Sequence, residues 1–92
     1  MKLTGKLKLE ADLLVEEVII DVPGKVKRGQ GWRGGMSLAG RRFLDPRVIY
    51  RLEIEDGSSG DIKIERIVDA SEDRTYFGVK CAQGLSVKTS GN

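Results

Sequence analysis

Basic residues crowd the segment from Pro23 to Arg47, where Lys25, Lys27, Arg28, Arg33, Arg41, Arg42 and Arg47 stand against one acid, Asp45. The segment is near +6, whereas the stretches on either side are each net acidic, within a chain of net charge +2. It also holds the only tryptophan, Trp32, and six of the twelve glycines. Arginines interleaved with an aromatic supply both phosphate charge and a stacking platform. Lys27, Arg28, Trp32, Arg33, Arg41 and Arg42 are therefore the candidate contacts to RNA or DNA, with Trp32 as the stacker. The same residues also have a purely structural reading. Trp32 would close one end of a small fold, the glycines would let the chain turn, and the arginines would pair with acids across neighbouring strands, for ~0.2–1 kcal/mol each. The run Gly29-Gln30-Gly31-Trp32-Arg33-Gly34-Gly35 fits neither G-x-G-x-x-G nor the phosphate-loop pattern ending in G-K followed by Ser or Thr.

Other chemistry is sparse. The chain has no histidine, which removes the commonest general base and neutral-pH metal ligand. One cysteine, Cys81, can form neither an internal disulfide nor a zinc site, and reads as a small buried hydrophobe. Glu53, Glu55 and Asp56, and then Asp69, Glu72 and Asp73, cluster without calcium-loop spacing, as solvated faces do. The expectation is a non-enzyme without metal or cofactor. No apolar run approaches the roughly 20 residues of a membrane span, and the N-terminus lacks a signal-peptide pattern. With the lone cysteine, this points to the cytoplasm.

These residues must be positioned by a small scaffold: 92 residues make one domain. Lys2 to Glu10 alternates Leu3, Leu7 and Leu9 with polar residues, the period of a half-buried strand, and Gly5 on the apolar parity marks a bulge or close backbone approach. Val18 to Val22 is β-branched and reads as strand. Residues 11–17 stay open, because Asp12 could cap a short helix carrying Leu14, Val15, Val18 and Ile19 at four-residue spacing. Val22-Pro23-Gly24-Lys25 fits a type II turn into a short strand over Lys25 to Arg28, followed by a glycine loop around Trp32. Met36 to Leu44 reads weakly as strand. Val48 to Glu55 and Asp61 to Asp69 form the clearest hairpin, with Asp56 to Gly60 as its turn and Val68 on the inward parity with Ile62 and Ile64. Thr75 to Ala82 and Leu85 to Lys88 complete the set. The expected fold is all-β: a small antiparallel barrel or sandwich of about six short strands, SH3-like or OB-like, with at most one short helix near residues 11–17.

Arg41-Arg42-Phe43-Leu44-Asp45-Pro46-Arg47, then a strand, then Asp69-Ala70-Ser71, resembles the paired-arginine and D-x-S-x-x-G signature of PilZ domains, which bind cyclic dinucleotides. The resemblance covers about 40 residues. It departs from the pattern in an arginine spacing one residue too long, in Arg74 where the glycine should be, and in the short stretch after Ser71, and it implies no membership. What the residues support is a β-barrel binding module, contacting nucleic acid through the basic segment. The alternative is a protein-interaction domain that pairs with another protein or with itself through its strands.

Overall fold

The computed structural model describes residues 1–24, 27 and 29–87, with only the backbone of Val87. Seven strands follow one another: β1 (Lys2–Leu9), β2 (Asp12–Asp21), β3 (Trp32–Ala39), β4 (Ile49–Ile54), β5 (Ser58–Ala70), β6 (Arg74–Cys81) and the two-residue β7 (Ser86–Val87). All pairings are antiparallel. The sheet runs β4-β1-β2-β3-β6-β5, and β4 pairs back onto β5. Six strands thus close into a small barrel, which removes most of the exposed edge an open sheet would carry.

Alternation builds the core. Tyr50, Leu52 and Ile54 of β4 and Thr75, Phe77, Val79 and Cys81 of β6 are buried, with exposed or half-buried residues between them. They meet Leu7, Ile20, Met36, Leu38, Ile62 and Ile64. Burying each such side chain is worth about 1.5–3 kcal/mol. Gly5 faces the carbonyl oxygen of Glu53 so closely that a Cβ there would collide with it, the close approach its parity foretold.

Residues 12–17 are strand, not helix, and Ala11 lies in the turn before them. Gly5 pairs with Val18 and Leu7 with Val15, so two steps along β1 face three along β2. The extra residue is a β-bulge, and it turns both Val15 and Val18 inward. A bulged strand therefore imitates the three-to-four-residue spacing of a helix. Glu10 at the tip of this hairpin has φ 56°, the left-handed region.

Around Trp32 the glycine loop is shorter than its composition suggests. Trp32 to Gly35 already lie in β3, paired with Cys81 to Gly78, and the strand ends at Ala39 rather than Leu44. Gly34 is required there because a Cβ would sit 2.5 Å from the carbonyl oxygen of Asp21. Gly24 has φ 76°, as the second central position of a type II turn demands, while the short strand expected over Lys25 to Arg28 lies largely outside the described residues. The β4–β5 turn closes by Gly57, whose N–H donates to the carbonyl of Ile54 at 3.0 Å; Ser58, Ser59 and Gly60 are buried strand. The register shift between Ile64 and Arg66 flips the parity of β5: Arg66 pairs with Gly78 between buried Phe77 and Val79, and Val68 is turned out to solvent, against its expected inward parity.

Candidate functional site

β3 and β4 are consecutive in the chain but lie three strands apart whichever way the barrel is traversed. Their connection, residues 40–48, must therefore cross one mouth of the barrel. Leu44 drops into that mouth and is buried, so its neighbour Phe43 is turned out, 75% exposed.

The loop is pinned on both sides of Phe43. Upstream, the buried hydroxyl of Thr75 accepts from the Arg42 N–H at 3.0 Å and donates to the Gly40 carbonyl at 2.7 Å. The Gly40 N–H donates to the Asp73 carbonyl at 2.7 Å, joining the loop to the β5–β6 turn. Downstream, the Asp45 N–H donates to the Tyr50 hydroxyl at 2.9 Å. The Asp45 carboxylate accepts from the Arg47 N–H at 2.8 Å and from Arg47 Nε and Nη2 at 3.1 Å each. These hydrogen bonds, chiefly from the guanidinium, hold the Asp45 carboxyl below the usual carboxylate range and push Arg47 up. Arg47 is thereby spent on its own loop. Arg41 and Arg42 are exposed and form no ion pair with any described residue.

The other candidate residues lie elsewhere. Trp32, at the opposite end of β3, stands seven residues and so roughly 23 Å from Ala39. Its indole is half-buried against the core, with Nε1 enclosed and without a hydrogen-bond partner among the described residues. The segment before it packs on the β6–β7 turn: the Gly29 N–H donates to the Leu85 carbonyl at 2.9 Å, and a Cβ on Gly31 would meet the Ala82 carbonyl at 2.6 Å. Trp32 and the glycines thus help close the second mouth. Lys27 is exposed in this segment, and Arg28 lies outside the described residues. Arg33 is on the outer wall, where its Nε lies 3.3 Å from a Glu65 oxygen. That wall carries an open groove of about 780 Å³ lined by Asp21, Arg33, Gly35, Glu65 and Arg66, among others, but Asp21 and Glu65 offset its two arginines. The basic segment is therefore not one surface; among its described residues, the unpaired arginines with an exposed aromatic are those of the Arg41–Phe43 loop.

Sequence reasoning missed Phe43. Phe43 and Leu44 are adjacent and equally apolar, and only the crossing of the mouth decides which one enters the core. Among the described residues no three His, Cys, Asp or Glu side chains cluster to hold a metal ion. Burial raises the thiol pKa of Cys81, partly offset by a hydrogen bond from Gly84. No helix of the described residues is long and apolar enough to cross a membrane. No family model, curated protein or solved structure matches this chain.

Proposed function

We propose that this barrel is a non-enzymatic binding module that takes single-stranded RNA or DNA on the Arg41–Phe43 loop. The observation that carries the reading is an exposed phenylalanine, preceded by two unpaired arginines, on a loop held at Thr75 and Tyr50. An aromatic face stacks on any base, so binding of this kind tolerates sequence, and the arginines neutralise phosphates on either side. Pinning matters because ordering a free loop on binding would consume part of the gain. Trp32, the stacker expected from the sequence, yields that role to Phe43 in this proposal, since its ring already packs on the core.

The test is fluorescence anisotropy with labelled 10- to 12-nucleotide RNA and DNA across a salt series. Two phosphates neutralised by Arg41 and Arg42 predict a log–log salt slope of about −1.4. Phe43→Ala should weaken binding by about tenfold, the lower half of the usual range for one stacked base. The Arg41→Ala/Arg42→Ala double variant should flatten the salt slope. Oligonucleotide binding unchanged in both variants, or absent in the parent protein at low salt, would sink the proposal.

A further inference from the structure

Closure of the barrel leaves one stretch of strand edge open. β4 covers β5 only from Ser59 to Lys63, whereas β6 accompanies it as far as Ala70. Beyond Lys63, no described strand lies against the other edge of β5. That edge carries Ile67, 51% exposed, and Val68, 58% exposed, with neither a lysine nor a proline from Arg66 to Ala70 to discourage pairing.

We infer that this edge is a self-association surface, on which a second copy of the chain adds its own β5 antiparallel about a two-fold axis near Ile67 and Val68. Charge complementarity selects this occupant. A two-fold axis there sets Arg66 opposite the partner's Asp69 and Asp69 opposite the partner's Arg66, while at the centre Ile67 lies opposite the partner's Val68 and Val68 opposite the partner's Ile67. For such a pair to form, Arg66 and Asp69 must lie on the same face, which a regular strand forbids at a separation of three. The bulge at Val68 supplies the missing step: Arg66 pairs with Gly78 and Asp69 with Tyr76, two residues of β6 that share one face. The bulges coil β5, and a two-fold copy coils identically, so the curvature matches. The contact is small, which places the dimer in the weak class of interfaces, with dissociation on the order of 10⁻⁴ M. This surface is separate from the Arg41–Phe43 loop, and its failure would leave the nucleic-acid reading standing.

Sedimentation equilibrium of the whole chain from about 10 µM to 1 mM tests it. The parent protein should show a concentration-dependent monomer–dimer equilibrium. Arg66→Asp places two aspartates opposite two aspartates, and Asp69→Arg sets two arginines opposite two arginines, so each variant alone should be monomeric. Mixed in equal amounts, they should associate again, because every opposed pair is then of unlike charge. Circular dichroism confirms that both exposed-site variants are folded. A parent protein that stays monomeric to 1 mM, variants that dimerise as the parent does, or a mixture that stays monomeric would each overturn the inference.

Discussion

Replacing Thr75 with valine isolates the pin that holds the Arg41–Phe43 loop. The side chain is fully buried and its hydroxyl makes two hydrogen bonds, from Arg42 N–H and to the Gly40 carbonyl. Valine keeps the volume, so no cavity term enters, and what is lost is two hydrogen bonds of about 1 kcal/mol each. The Arg42 N–H and the Gly40 carbonyl also lose their partner, a penalty that water at the exposed Arg42 side relieves in part, which sets the expected cost at about 1–3 kcal/mol. For a domain of this size, about 5–14 kcal/mol stable in all, that lowers Tm by roughly 5–20 °C. Thr75→Ser is the control, because it keeps the hydroxyl and loses one buried methyl, about 0.8 kcal/mol. Thermal and urea melts followed by far-UV circular dichroism should rank parent above serine above valine. At temperatures where all three are folded, the valine variant should also bind oligonucleotide several-fold more weakly, since the loop must then be ordered on binding. A valine variant as stable as the serine one would refute the assignment of Thr75 as a polar pin and reduce it to a core-filling residue.

Gly5→Ala should cost about 3 kcal/mol in urea melts, because its Cβ would collide with backbone of β4 and the strands must separate to admit it; Gly35→Ala, with its nearest atom 3.9 Å away, should be neutral or stabilising. Glu10→Asn should gain up to about 1 kcal/mol by relieving the left-handed backbone at the β1–β2 turn, read as a rise in Tm. Cys81 should resist alkylation at pH 8 until denaturant is added. Because its folded pKa lies above the unfolded one, the native chain holds the proton longer; stability should fall as pH rises past the unfolded thiol value of about 8.5, and Cys81→Ala should remove that contribution.

Alternation makes most of the barrel legible in the amino-acid sequence. It places β1, β4, the part of β5 from Asp61 to Ile64, and β6, because a closed barrel buries one side of each strand and solvates the other. Where alternation misleads, a bulge is the cause. The three-residue step from Val15 to Val18 looks like helix, and the step between Ile64 and Arg66 turns Val68 out where parity sends it in. A bulge is dictated by the partner strand, through register, and leaves no mark on its own sequence beyond a broken period.

The basic segment misleads as a unit for a related reason. Charge and glycine content rise together from Pro23 to Arg47, and nothing in that composition announces that a strand runs through the middle of it. β3 does run through it, separating Trp32 from the Arg41–Phe43 loop by the full height of the barrel, and the two halves do different work. The first half, rich in glycine, is pressed against the β6–β7 turn and β2 by contacts that leave no room for a side chain at Gly31 or Gly34. The second half crosses an open mouth. A chain making that crossing must put one apolar residue into the core and carry its neighbours outside, so an exposed Phe43 follows from a buried Leu44. The choice between those two neighbours belongs to the geometry of the crossing, which strand order sets and local sequence does not.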